Sequence, residues 1–415
     1  MRRWRRHSTS AWIARTMAGR APGQLVIQIT DRCNARCPQC GMRSSEPFSR
    51  TSLSEDNIKK LIDDAALRKI SIISFTGGEP LLSLSLLVRL INYASGAGIR
   101  YIRTGTNGFM FGNPEENGFN QRVNDVVNAL APTKLRNFWI SIDSCEPLTH
   151  EQMRGFPGVI SGIRRALPVF HAAGLYPAAN IGINRNMAGT GFFDCAGIEE
   201  IQTEQVAVAA GKILSFVKDL GFTMVNMCYP MSIEEPQTPT RISSAVYAAT
   251  SRDSIVHFSS VEKSALFAGL SEAIATHRSG LRIFTPRASL HALRQGLAQP
   301  NRRTYPCRGG SDFFFASSNG NVYPCGYRGN EPLGESWGKD QAEPWCYKCE
   351  WECFRDPSEL FGPIADLVSA PWRLAHRCLK DPAFLNLWID DMRYFAACGF
   401  HNSRTAPNYA ALAKF

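Results

Sequence analysis

The stretch Thr30-Asp31-Arg32-Cys33-Asn34-Ala35-Arg36-Cys37-Pro38-Gln39-Cys40 decides how the rest of the chain is read. Three thiols are spaced Cys-x3-Cys-x2-Cys directly after an apolar run, Leu25 to Ile29, that has the character of a strand. Three close thiolates can hold three irons of a cubane cluster and leave the fourth iron without a protein ligand. A small molecule can then bind the metal itself.

Working outward, Ser54 is placed to cap a helix whose apolar positions Ile58, Leu61, Ile62 and Ala65 follow the i, i+3, i+4, i+7 rule. Ile70 to Phe75 is a short β-branched run ending at Thr76-Gly77-Gly78-Glu79-Pro80, and a helix over about 84–97 stops at Gly98. Strands are expected at 99–104, 138–142, 176–183 and 223–228, with helices at about 121–130, 159–172 and 203–220 between them. Such alternation requires parallel crossovers. Cys33, Gly77 to Glu79, Thr106 to Gly108, Ser141 with Asp143, Asn184 with Arg185, and Tyr229 all fall at the carboxyl ends of these strands. That edge carries the site in barrels and open parallel sheets.

The remaining chain is less regular. A helical pattern covers about 253–277, 282–303 is basic, and 305–357 is rich in Cys, Gly, Pro and aromatics. A segment of that composition buries too little apolar surface alone, so a metal staple is expected. Beyond Pro363 the chain reads as helical, with Leu385, Trp388, Met392 and Phe395 on one face.

At 415 residues with 44% hydrophobic content, the chain has enough apolar material for a large domain plus a smaller one. Its net charge of +10 is uneven, because residues 1–30 hold six arginines and no acidic residue or lysine. Ser8 to Gly19 has no unbroken apolar core and fails as a secretion signal. No run reaches the roughly 20 apolar residues of a membrane helix. A cytoplasmic protein without membrane attachment is expected, and nucleic acid is not an expected partner. Eight of the thirteen cysteines form two groups, Cys33/Cys37/Cys40 and Cys307/Cys325/Cys346/Cys349/Cys353. In a reducing compartment such groups read as metal ligands. Cys145, Cys195, Cys228, Cys378 and Cys398 are scattered, as small core hydrophobes often are.

The Cys-x3-Cys-x2-Cys loop followed one strand later by Gly77-Gly78-Glu79-Pro80 resembles the radical S-adenosylmethionine (SAM) superfamily over about residues 24–230. A zinc site is the alternative, but zinc wants four ligands and no fourth Cys or His lies nearby. The resemblance implies a partial (β/α)6 TIM-like barrel, with a [4Fe-4S] cluster on the three thiolates and SAM on its open iron. Gly77, Gly78, Glu79 and Pro80 would border the methionine end of SAM. Ser141 and Asp143 would face the ribose or carboxylate, Arg154 would clamp a carboxylate, and Asn107 would be a polar neighbour. Reductive cleavage would give a 5′-deoxyadenosyl radical that abstracts hydrogen from a substrate carbon. One departure stands out: the family usually has an aromatic residue before the third cysteine, and here it is Gln39. An adenine contact is then expected from Ile181 to Ile183.

Cys307-x12-Gly320-x4-Cys325 followed by Cys346-x2-Cys349-x3-Cys353 is similar to the SPASM and twitch extensions of that superfamily, which bind auxiliary [4Fe-4S] clusters. Five cysteines suit one auxiliary cluster with a spare, for electron transfer or substrate binding; a zinc ribbon is the alternative. Cys228 and Cys145 are candidate hydrogen donors to a product radical. The expected organisation is a flexible basic tail (1–22), the barrel (23–235), a helical and basic connector (236–303), the auxiliary domain (304–360) and a helical segment (361–415). A low-potential donor such as flavodoxin or ferredoxin is expected. The substrate is expected to be a small molecule of natural-product or cofactor biosynthesis, or a peptide. Because only 32 residues precede Cys33, no leader-binding domain is expected, which favours the small molecule or a peptide recognised through a separate protein. The contrasting class is a non-catalytic iron–sulfur or zinc protein.

Overall fold

The computed structural model describes residues 15–415 apart from 46–47, 49, 195–199, 231–250, 252, 299–304, 335–336, 338–342 and 348. Arg2 to Arg6, Cys195, and parts of the expected connector and of the expected auxiliary domain therefore lie outside the described residues.

Seven parallel strands are laid side by side in chain order: β1 (Gly23–Gln28), β2 (Ile70–Thr76), β3 (Tyr101–Thr106), β4 (Leu135–Ile142), β5 (Ala178–Gly182), β6 (Met224–Cys228) and β7 (Arg282–Ile283). Between them run α1 (Glu55–Leu67), α2 (Leu84–Gly96), α3 (Phe119–Leu130), α4 (Pro147–Arg154), α5 (Val159–Ala172), α6 (Thr203–Leu220) and α7 (Ser260–His277). Helix α8 (Arg287–Ala298) follows β7. The apolar positions that predicted α1 are its buried ones, Ile58, Leu61, Ile62 and Ala65, and the Ser54 hydroxyl accepts from the Asn57 amide at 3.2 Å. A single core joins these helices to the strands through fully buried residues such as Phe75, Phe138, Phe170 and Leu214. This is the half-closed parallel architecture the alternation required.

The Cys-rich segment is not a separate body. Its strand β8 (Phe313–Ala316) pairs parallel to β1, and β9 (Val322–Tyr323) pairs antiparallel to β8, so the barrel sheet continues to nine strands. The expected connector likewise supplies β7, which pairs with β6, and α8. Three consecutive phenylalanines explain the insertion: Phe314 packs into the barrel core, while Phe313 and Phe315 face the cysteine side.

Helices α9 (Glu352–Ser369), α10 (Pro371–Lys380), α11 (Pro382–Ala397) and α12 (Tyr409–Leu412) complete the chain. The described part of the basic tail is docked and not free: Arg15 and Arg20 pair with the buried Asp312 carboxylate at 2.7 and 2.6 Å. Among the described residues no helix is long and apolar enough to cross a membrane.

Candidate functional site

The carboxyl ends of the strands enclose a cavity of about 300 Å³. It brings together Cys33, Cys37, Cys40, Gly77, Gly78, Glu79, Pro80, Asn107, Ser141, Asp143, Arg154, Cys228 and Tyr229, residues far apart in the chain.

The cluster loop is held from both sides. Gly78 N donates to Thr30 O at 2.7 Å and Glu79 N to Arg32 O at 2.8 Å, which lays the glycine turn directly on the loop backbone. A Cβ on Gly77 would stand 2.4 Å from Thr30 O, and one on Gly78 2.1 Å from Arg32 O. The backbone that these glycines admit is therefore the cluster loop's own. Asp31, 1% exposed, accepts from Gln28 at 2.5 Å, Thr51 Oγ1 at 2.8 Å and Ser318 Oγ at 2.6 Å. Asp31 thus ties the loop to the β8–β9 turn. Its place inside the motif was visible in sequence, but its partners were not.

Glu79 is buried, accepting from Leu81 N at 2.9 Å and Asn107 N at 2.6 Å. Burial outweighs these bonds and raises its carboxyl to about 7. Asn107 in turn donates to Asn34 Oδ1 at 2.9 Å and to Cys33 Sγ at 3.6 Å. Backbone amides of Ala35 and Met42 point at Cys33 and Cys40 Sγ from 3.5 and 3.4 Å. Burial raises all three thiols, Cys40 to about 11. Amide donors aimed at thiol sulfurs are what stabilises thiolates carrying a cluster, and they tune its potential. The three cysteines therefore fit a cluster.

Arg154 has a carboxylate partner within the protein. Its Nε and Nη2 donate to Asp143 at 2.6 and 2.8 Å, with side chains 9% and 1% exposed. Burial alone would raise the Asp143 carboxyl, but the guanidinium beside it wins and holds it below its ordinary value. His150, fully buried, accepts the Asp143 amide at Nδ1 from 3.1 Å; burial lowers its pKa to about 4, so the ring is neutral. Gln39 lines the same cavity with Oε1 buried and unpartnered. Ser141 spends its hydroxyl on Thr106 O at 3.2 Å.

Other strand-end residues divide. Asn184 fixes Asp143 O at 2.8 Å, whereas Arg185 turns away to Glu262 at 2.8 Å. Of the expected adenine neighbours, Gly182 and Ile183 line the cavity, while Ile181 is buried in the core. Cys228 lines the cavity and reaches Asn180 Oδ1 at 3.3 Å. Cys145 does not line it: after Asp143 the chain turns into α4, and Cys145 borders a separate hollow with Lys212 and His277.

In the C-terminal group, Cys307 and Cys346 form a backbone bridge, with Cys307 N donating to Cys346 O at 2.7 Å. Cys325 and Cys349 each lie within electrostatic reach of both. Cys353, the second residue of α9, faces Glu352, Arg103 and Asp356 and neighbours Cys228. Beside Cys307 and Cys349 lies the buried Arg355, paired with Glu359 and donating to Tyr305 O at 2.6 Å. Its Nε and Nη1 are buried without partners. Orphaned guanidinium donors next to thiols are costly unless something anionic sits there, so this quartet also fits a cluster. Among the described residues no three His, Cys, Asp or Glu side chains are close enough to share one metal ion.

A second cavity of about 520 Å³ occupies the opposite, amino end of the strands, lined by Gln24, Ile72, Arg103 and Asn226 of the barrel and by α9 and α11. Asn226 Nδ2 donates to Asn180 Oδ1 at 2.9 Å, so Asn180, Asn226 and Cys228 form the partition between the two chambers.

Residues 27–187 match the sequence profile of the Radical SAM superfamily. An AdoMet-dependent heme synthase of Methanosarcina barkeri is 25% identical over 360 residues, spanning 82% of this chain and 87% of that protein. A GTP 3',8-cyclase of Vibrio parahaemolyticus is 30% identical over 151 residues, 35% of this chain and 42% of its own. Among solved structures, Streptococcus suis SuiB aligns with a TM-score of 0.48 at 15% identity, covering 73% of this chain and 60% of that one.

Proposed function

The chain belongs to the radical SAM superfamily, and on that premise we propose that it is a SAM-cleaving enzyme of cofactor biosynthesis acting on a tetrapyrrole. The observation that carries the SAM-cleaving reading is the upper cavity, which sets three cluster-type thiols against the glycine turn, Asn107, Ser141, Asp143 and Arg154. When bound, the cluster and SAM supply a 5′-deoxyadenosyl radical able to abstract hydrogen from a substrate carbon. Cys33, Cys37 and Cys40 would hold the iron. Asn107 and the Ala35 and Met42 amides stabilise the thiolates, and Glu79 orients Asn107. The Asp143–Arg154 pair fixes one wall, and Gln39 Oε1 offers an acceptor in place of the usual aromatic.

The tetrapyrrole assignment is supported by the heme synthase, a relative that aligns along 87% of its own length. We assign Cys307, Cys325, Cys346 and Cys349 to one auxiliary [4Fe-4S] cluster, with Arg355 as its buried counter-charge and Cys353 as the spare. A soluble low-potential donor such as flavodoxin or ferredoxin would reduce it, in a cytoplasm that keeps such thiols reduced. Cys228, on the partition between the chambers, is the better-placed hydrogen donor of the two candidates.

The test is anaerobic reconstitution followed by SAM and dithionite. The reading predicts methionine and 5′-deoxyadenosine, abolished in Cys33→Ala. Protein that holds its iron yet forms no 5′-deoxyadenosine would leave a non-catalytic iron–sulfur protein.

A further inference from the structure

Exposed large apolar side chains gather at the junction of α9 and α10. Leu367, near the end of α9, is 61% exposed, and in α10 Trp372 is 67% and Leu379 84% exposed. No residue of α10 is buried. Trp372, Ala375 and Leu379, at i, i+3 and i+7, form one exposed stripe, and Arg373, His376 and Lys380 form a second stripe alongside it. The helix carries no acidic residue, and among the described residues neither Arg373 nor Lys380 is ion-paired.

The inner side of α10 leads to the C-terminal cysteines. Arg377, half-buried, pairs with Asp366 of α9 at 3.2 Å and lies over the Tyr305 ring at 4.3 Å. The Tyr305 carbonyl accepts from the Arg355 guanidinium at 2.6 Å, and Arg355 stands beside Cys307 and Cys349. Tyr347, between Cys346 and Cys349 in the chain and 37% exposed, comes within electrostatic reach of Arg377 and Asp366. The basic and apolar face of α10 is therefore linked through Tyr305 and Arg355 to the quartet Cys307, Cys325, Cys346 and Cys349.

We propose that α10 is the docking face for an acidic flavodoxin-type electron carrier, which delivers its electron to that quartet. Unpaired cations on an exposed helix call for an acidic partner and steer one in by long-range attraction. A second copy of this chain would bring the same cations and be repelled, and a lipid surface would gain nothing from the cysteines behind the helix. The face is a single helix of about 15 Å. That is small for a permanent interface and suited to electron-transfer encounters, which bury less than about 1,200 Å² in total. Trp372 beside Arg373 has the composition of a binding hot spot. The proposal rests on the auxiliary-cluster reading above and gives it a point of electron entry.

The experiment titrates the full-length, cluster-loaded chain with purified oxidised flavodoxin. Wild type is expected to saturate at one flavodoxin per chain, more weakly as salt rises. Arg373→Glu/Lys380→Glu should bind at least tenfold more weakly, as should Trp372→Ser. Arg164→Glu/Lys218→Glu, the same charge change on the exposed sides of α5 and α6, should stay within twofold of wild type. Electron entry is read in the Cys33→Ala/Cys37→Ala/Cys40→Ala background. There, flavodoxin hydroquinone gives one electron to the remaining cluster and becomes the semiquinone, bleaching the iron–sulfur absorbance. The α10 charge reversal should slow that step at least tenfold and leave reduction by dithionite unchanged. The proposal is overturned if the reversal keeps the wild-type affinity or if dithionite is slowed as much as flavodoxin. It is equally overturned if wild type shows no saturable flavodoxin binding and the face instead holds phosphatidylglycerol vesicles or a second copy of the chain. Iron in the triple background is counted first: its absence removes the auxiliary-cluster reading, while the titration, which needs no auxiliary cluster, still decides the surface.

Discussion

Replacing Asp143 with Asn keeps the side chain's shape and removes its charge, leaving the Arg154 guanidinium buried without its counter-ion. The pair is bidentate, at 2.6 and 2.8 Å, and almost wholly out of solvent. Removing one partner of such a pair costs about 3–5 kcal/mol, because the remaining charge keeps its desolvation penalty. The loss reaches the cluster loop directly, since Arg154 O accepts the Arg36 amide at 3.1 Å. Asp143→Asn and Arg154→Met should each lower stability by about that amount. The double variant should lose much less than their sum, giving a coupling of roughly 2–3 kcal/mol. Urea unfolding of wild type, both singles and the double under identical reducing conditions provides the cycle. Additive losses, or a single loss under about 1 kcal/mol, would refute the claim that this pair is a closed internal clamp.

Three further outcomes follow from the geometry. His150 has its folded pKa lowered from 6.5 to about 4. The unfolded chain therefore binds more protons between those values, and stability falls as pH drops from 6.5 towards 4 by up to roughly 3 kcal/mol; His150→Gln should flatten that part of a denaturation–pH profile. Gly78→Ala puts a methyl 2.1 Å from Arg32 O. It should displace the cluster loop and cost about four irons per chain while leaving far-ultraviolet circular dichroism unchanged; full iron retention would contradict the close approach. Arg355→Met removes the buried cation beside Cys307 and Cys349, and should make the auxiliary cluster easier to lose on chelator challenge without altering the first cluster's response to SAM.

Much of the barrel was legible because each strand and helix carries its own period, and because polar residues cluster at one end of successive strands. Local signals of that kind survive folding unchanged, as Ser54 and the buried face of α1 illustrate. What sequence could not give were pairings between distant segments. Phe313 to Ala316 looked like part of a metal-stapled knot, yet three phenylalanines placed it against β1 as another sheet strand. Arg154 read as a clamp for a ligand carboxylate, and its visible partner is Asp143, eleven residues earlier. Cys145 was legible as close to Asp143 but not as bordering a separate hollow. The five C-terminal cysteines resembled one another in sequence, and nothing there showed that Cys353, at the start of α9, has Glu352, Arg103 and Asp356 as charged neighbours.

The division of the eight clustered cysteines into two sets is tested most directly by counting iron in reconstituted Cys33→Ala/Cys37→Ala/Cys40→Ala protein beside wild type. Two separate cubane clusters predict about eight irons per wild-type chain and about four in the triple variant. A triple variant without iron, or one holding a single zinc, would contradict the account.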